Sequence, residues 1–352
     1  MTDEHAGVAK PLSPERARTL AVLGLGRAGL RRYGVELIRT YGIVLALGVL
    51  VAAVAWQNSV FVSRVNLLNI SSQWAPDGVM AAGLTFVLIA GGIDLSIGAN
   101  FNLCAVLAAA IGEHHDPGLA FLAALGLGTG IGVVNALIVT ITGIDSFIAT
   151  LGVSFALSSV SEIMTGNQAY YVQNNDFLSL GAGSWHTIPY AGMIMFGTFI
   201  VLGTVLWRGT YGQKIYAVGG NREASRLAGL RVQTLYGSTF VLAGFCCGLG
   251  GILSASQLGS AQYNIDPTIL FDVVTMVVLG GTSLLGGYGA MWRTVVGWAF
   301  IAGIGNAFNI LSVNSSYQDL VKGLVLIGAL AIDVYVRRLA RRGLTQARAR
   351  PP

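Results

Sequence analysis

Few residues in this 352-residue chain are of types that do covalent chemistry, and those few stand in the wrong patterns for it. Gly24-Leu25-Gly26-Arg27-Ala28-Gly29 fits GxGxxG, whose glycines let a backbone approach a pyrophosphate. A dinucleotide site also needs a βαβ unit and an acidic residue about 20 positions on. Here a long apolar run begins within about ten residues, so the match is a coincidence of composition. No GxxxxGK followed by Ser or Thr is present. The lysines are Lys10, Lys214 and Lys322, none in that setting, which excludes the P-loop route to ATP hydrolysis. HExxH, GxSxG and paired cysteine ligands are also absent from the sequence. His114 and His115 beside Asp116 read as a solvated loop rather than a metal site. Cys104, Cys246 and Cys247 lie in apolar stretches and read as small core residues rather than a disulfide framework. No catalytic residue and no metal site are expected.

What the chain does carry is polarity inside apolar stretches. Asp94 follows Gly91-Gly92, where a helix should break. An acid at the centre of a bilayer costs roughly 2.5–3.5 kcal/mol. Asp94 therefore either caps and gates the break beside a wet cavity or is solvated at an interface. Asn100, Asn102, Asn135, Asn306 and Asn309 hold amides within apolar runs. Such amides either bind a polyol or hydrogen-bond between helices. Asp272 lies five residues after Pro267, near the far face, and Asp319 and Lys322 are three apart and can pair.

The elements that must hold these residues follow from composition. The chain is 54% hydrophobic and 11% charged, with mean hydropathy +0.67, whereas soluble domains carry about 25% charged residues. It is expected to be an all-α integral membrane protein. Its 48 glycines, roughly twice the usual share of about 7%, mark closely packed helices, as in the run Gly126, Gly128, Gly130, Gly132. A window of about 20 apolar residues finds about ten spans. They are 37–57, 73–92, 95–112, 118–142 and 146–165, then 188–208, 233–256, 267–286, 292–312 and 317–336.

Basic residues give the orientation. Seven of the 21 lie in residues 1–40, five run from Arg208 to Arg231, and six close the chain from Arg337 to Arg350. With ten spans all three groups fall on one side, the cytoplasm, together with Arg293. The opposite loop 166–187 has no basic residue; Arg64 is the main exception. Residues 1–36 then form a flexible basic cytoplasmic tail, 37–336 the transmembrane domain and 337–352 a second basic cytoplasmic tail. The tail shows no cleavable signal pattern. Basic residues that flank helices point to membrane lipid and not to nucleic acid. An internal echo points to an inverted five-helix repeat: Gly91-Gly92 matches Gly280-Gly281, and Asn135-Ala136 with Gly152 matches Asn306-Ala307 with Gly323 at identical separation.

Residues 209–232, GTYGQKIYAVGGNREASRLAGLRV, are the longest polar interruption on the cytoplasmic side. Asn221 suits an N-cap, Glu223 favours the positive end of a helix, and Gly229 can close it after about two turns. Ala224, Leu227 and Ala228 share one face at helical spacing.

This loop resembles the coupling segment of permease subunits of ATP-binding cassette importers in the ribose and related monosaccharide family. The matching positions are Tyr216, Ala217, Val218, Gly219, Gly220, Asn221, Ala224, Leu227, Gly229 and Val232. Ser225 and Leu230 are mild departures from alanine and isoleucine. Three further stretches are similar to the same family: GLTFVLIAGGIDLSIG at 83–98, FIATLG at 147–152, and VLGGTSLLGG at 278–287 with Gly289 after it. Asp145 stands where that family often has proline.

The resemblance implies a permease subunit in the bacterial inner membrane. It would translocate a pentose, hexose or similar polyol delivered by an extracytoplasmic sugar-binding protein. Implied partners are a second permease copy, identical or not, and cytoplasmic ATPase subunits that bind ATP and Mg, this chain binding no cofactor itself. Gly219, Gly220, Asn221, Arg222, Glu223, Ala224, Arg226, Ala228 and Gly229 would then couple to the ATPase, with Arg222, Glu223 and Arg226 at the rim. Asp94, Ser96, Asn100, Asn102, Asn135, Asp272, Thr282, Asn306 and Asn309 are the candidate path, and Asp272 is placed to meet the binding protein. Nucleosides and branched-chain amino acids are alternative cargoes. A secondary transporter would need an ion-coupling site of its own.

Overall fold

Backbone in lipid must satisfy its own hydrogen bonds, and the computed structural model is accordingly built from helices. It describes residues 30–263, 268–314, 316–328 and 331. Most of the expected 1–36 tail and all of 337–352 lie outside the described residues. Residues 1–42 form one unit, whose described part is the start of the first helix; residues 43–352 form a second, which holds the core.

The first half runs α1 (Leu30–Gln57), a 3-10 turn (Ser59–Val62), α2 (Arg64–Gln73), α3 (Ala75–Ile89), α4 (Ile97–Gly112), α5 (Pro117–Leu137) and α6 (Ser146–Thr165). A π-helical turn, Ile138–Thr142, extends α5. The segment 166–187, expected as a loop, contains the strand β1 (Tyr170–Tyr171), helix α7 (Asn175–Ala182) and the strand β2 (Ser184–Trp185). The second half runs β3 (Ile188–Pro189), α8 (Tyr190–Arg208), α9 (Thr210–Gly220), α10 (Arg222–Leu227), α11 (Val232–Leu258), β4 (Ser260–Ala261), α12 (Thr268–Leu279) and α13 (Met291–Ile310). Residues 316–328 are again helical and are called α14. Strand β1 pairs antiparallel with β4, and β2 with β3. By length and composition, 117–142, α6, α8 and α11 can each cross a membrane; α3, α4, α12 and Tyr41–Gln57 are shorter apolar helices.

Helix α11 is the centre of the bundle and packs on α3, α4 and α5. Its seam with α5 explains part of the glycine excess. A Cβ on Gly132 would fall 2.5 Å from the Phe240 carbonyl, and one on Gly244 2.3 Å from the Gly128 carbonyl. Gly126 and Gly130, by contrast, face open space. Of the two pairs at helical spacing in the alternating run, Gly128 and Gly132 touch the neighbour and Gly126 and Gly130 do not. Cys104, Cys246 and Cys247 are no more than 1% exposed and unpaired by disulfide, as small core residues should be. Helix α6 is the opposite case: Ile148, Phe155 and Ile163 are 64%, 68% and 80% exposed.

Two spans end earlier than hydropathy predicts. The 73–92 span stops helically at Ile89 and the 267–286 span at Leu279. Both stops are left-handed glycines, Gly91 at φ +77° and Gly281 at φ +85°. Each forms the paired C-terminal hydrogen bonds of a Schellman motif: Gly91 N–H to Leu88 O and Gly92 N–H to Val87 O, then Gly281 N–H to Val278 O and Thr282 N–H to Val277 O. The echo between the halves therefore aligns Gly91 with Gly281, one residue off the pairing read from the sequence. Hydropathy misses these stops because both follow apolar runs, and only the glycine φ ends them. Ahead of the expected 73–92 span lies the short helix α2, which Trp74 separates from α3, and Pro76 opens the second helix.

Candidate functional site

The polar loop 209–232 folds into two helices. Helix α9 occupies residues that read as an interruption, because Ile215 and Val218 turn inward and are fully buried. Its end packs tightly: a Cβ on Gly219 would lie inside the Ile89 carbonyl, and Gly220 lies against Gly287. Asn221 is extended and accepts the Ala224 N–H at 2.9 Å, capping α10 as its sequence suggests. Gly229, at φ +83°, ends it with Leu230 N–H bonded to Ser225 O. Between the caps, Glu223, Ala224, Arg226 and Ala228 are exposed, and Leu227 is 76% exposed. Arg226 grips Glu223 through two hydrogen bonds of 2.6 and 3.1 Å. That guanidinium holds the Glu223 carboxyl below its usual range. Arg222 behaves differently, donating to the carbonyl of Gly91 at 3.1 Å with its guanidinium over the Tyr236 ring.

This contact puts the break after α3 at the same end of the bundle as α10. A cleft of about 890 Å³ opens there, lined among others by Gly91, Asp145, Arg222, Arg226, Arg231 and Tyr236. Asp145 caps α6 by accepting the Phe147 N–H at 2.9 Å, a use of its carboxylate that proline could not supply.

Inside the break, the 3% exposed Asp94 is buried rather than solvated. It accepts hydrogen bonds from the Ser96 N–H at 2.9 Å and the Ser96 hydroxyl at 2.6 Å. Asn135 donates to the same hydroxyl at 2.7 Å, while its Oδ1 is buried with no partner. Ser146 and Thr150 on α6 accept the Ile93 and Leu95 N–H groups at 3.0 and 2.9 Å. These two hydroxyls replace helical partners for a backbone that has none at a break. Composition gave no signal for Ser146; Thr150 lay unremarked inside the 147–152 stretch.

The other candidate residues divide. Asn100 bonds the Gly128 carbonyl at 3.3 Å and Asn102 the Tyr263 carbonyl at 2.8 Å. Asn306 exchanges reciprocal amide hydrogen bonds with Asn66, at 2.8 and 3.0 Å, so it ties α13 to α2. Asn66 went unnoticed because it sits outside the expected spans. Asn309 is exposed. Thr282 is buried, its hydroxyl unpartnered, directly after the Gly281 stop. Asp272 is 5% exposed, and so it is not presented for an outer partner. It pairs with Lys322, whose ammonium also lies 5.1 Å from the Trp74 ring, and this replaces the expected Asp319–Lys322 pair. The structure thus joins Asp94, Ser96 and Asn135 in one cluster and leaves Asp272, Asn306 and Asn309 outside it. Among the described residues, no group of His, Cys, Asp and Glu could hold a metal ion.

Residues 66–330 match the family described as "Branched-chain amino acid transport system / permease component". The chain is 35% identical over 295 residues to the ribose import permease protein RbsC of Bacillus subtilis, covering 83% of this chain and 92% of that protein. It is equally identical to the protein of the same name from Escherichia coli, over 82% of this chain and 92% of the relative. To the L-arabinose ABC transporter permease protein AraH of Azospirillum brasilense it is 29% identical, over 96% of this chain and 99% of the relative. No solved structure matches it. Its bundle of apolar helices, its capped α10 and this likeness over most of its length agree: the chain belongs to the family of membrane permease subunits of ATP-binding cassette importers.

Proposed function

We propose that the chain passes a monosaccharide through the bacterial inner membrane, driven by a separate ATPase that docks on α10. The observation that carries this reading is α10 itself, a helix capped at both ends that exposes Glu223, Ala224, Arg226 and Leu227 on its outer side. A protein that only needed a connector here would not need both caps. The proteins named for ribose and L-arabinose import supply the cargo class. In this reading ten helices span the bilayer as two inverted halves, both termini are cytoplasmic, and α6 faces lipid or a second permease copy. ATP and Mg are held by the ATPase, and an outer binding protein brings the sugar. The path passes the Asp94, Ser96 and Asn135 cluster, where an unpartnered amide oxygen can accept a hydroxyl.

The test is affinity pull-down of the tagged chain from solubilised native membranes, with mass spectrometry of its companions. A P-loop ATPase that is recovered with the chain, and lost when residues 220–229 are replaced, is the expected result. Recovery of the chain alone, moving labelled ribose into vesicles without ATP, would establish a secondary transporter instead. Because the family description names branched-chain amino acids, labelled leucine belongs in the same uptake assay; uptake of leucine without ribose or arabinose would overturn the sugar assignment.

A further inference from the structure

Arg222 is the first residue of α10, and its side chain, though exposed at the rim of the cleft, reaches back to the backbone at the end of α3. Glu223 is already engaged by Arg226. The guanidinium of Arg222 lies 4.0 Å from the Tyr236 ring centroid, on α11, and its Nη2 donates to the Gly91 carbonyl at 3.1 Å. One planar group thus holds a ring and a carbonyl at once, which an ammonium on a flexible stem does not do.

Gly91 is the left-handed residue that stops α3, and other parts converge on the same stop. The Gly287 N–H donates to the Ile89 carbonyl at 2.8 Å. Gly219, at the end of α9, meets that carbonyl too closely for any Cβ, and Gly286 would meet the Gly91 Cα at 2.8 Å if it carried one. Gly92 packs on the Tyr236 ring. Beyond it, Ile93 and Leu95 are hydrogen-bonded to α6, and Asp94 leads to Ser96 and Asn135. Packing this close has no slack, so a displacement of the start of α10 is passed to residues 89–96.

We propose that Arg222 is the positioning residue that transmits motion of α10 to the helix break at Gly91, rather than a contact with the ATPase. This rests on the reading of α10 as the docking helix. Its force is then delivered through Arg222 to the segment that carries Asp94, and the Tyr236 ring keeps the guanidinium aimed at the carbonyl.

The experiment uses the complex of this chain with its ATPase and binding protein in liposomes, with R222A, R222K, Y236L and Y236F. Three quantities are read: ATPase retained, ATP hydrolysed, and labelled ribose taken up per ATP. Expected are full retention of the ATPase in all four and a drop of about tenfold in uptake per ATP for R222A, R222K and Y236L. Y236F, which keeps the ring, should couple as the wild type does. The conservative R222K guards against misfolding, since it keeps the charge and the helix. Loss of the ATPase together with uptake in R222K would make Arg222 a docking contact and overturn the proposal. So would wild-type uptake per ATP in R222A, leaving the docking reading intact. A wild-type chain that brings down no ATPase overturns the docking reading and this one with it.

Discussion

The ammonium of Lys322 on α14 pairs with the carboxylate of Asp272 on α12, and the two side chains are 9% and 8% exposed. The pair bridges two helices, stacks against Trp74 and is electrostatically linked to Asp77 at the start of α3. Removing one partner leaves a charge stranded in the bundle, which costs about 3–5 kcal/mol. Lys322→Met should therefore lower the thermal transition of the purified protein in detergent sharply. Lys322→Met with Asp272→Leu should recover most of the loss, because replacing both partners removes the stranded charge. A double variant no more stable than the single one would mean that the pair does not act as a unit.

The α5–α11 seam makes an unequal prediction for three neighbouring glycines. Gly132→Ala places a methyl against the Phe240 carbonyl and should destabilise by about 1–3 kcal/mol. Gly126→Ala and Gly130→Ala meet nothing and should be neutral or stabilising by up to about 1 kcal/mol, as helix propensity favours alanine. Melting of the three variants side by side checks this; equal effects would contradict the seam.

Asn221 caps α10 through the Ala224 N–H. Asn221→Ala should cost about 1 kcal/mol of local helix stability and weaken ATPase binding by about fivefold. Asn221→Asp should retain both, since its carboxylate accepts the same hydrogen bond. The measurement is affinity of the purified ATPase for each variant in nanodiscs.

Asn306→Leu should leave the buried Asn66 amide short of its partner, at about 1–3 kcal/mol. Substituting leucine at both positions should cost less than the single change. Comparing the two transitions reads the coupling directly.

The fold was legible where periodicity and apolar length carry it. Gly229 and Asn221 were readable as helix ends because a cap is a local event, settled by residues within one turn. The stops at Gly91 and Gly281 were half readable: the glycines were visible, but each directly follows an apolar run, and hydropathy alone does not mark where its helix ends. Long-range choices were hidden. Lys322 had an acid three residues away and took one fifty residues away, because burial, not spacing, decides which charge needs a partner. Asn66 and Tyr236 gave no signal at all, since an amide at a helix start and a ring in a helix acquire their roles only from Asn306 and Arg222.

The three cysteines have a practical consequence beyond packing. All are enclosed by neighbouring side chains, and a thiol out of reach of solvent is a poor nucleophile for water-soluble reagents. Leu227→Cys would then present a single accessible sulfur on α10 in the otherwise native chain. A fluorophore placed there could follow arrival and departure of whatever covers that helix during each cycle of turnover.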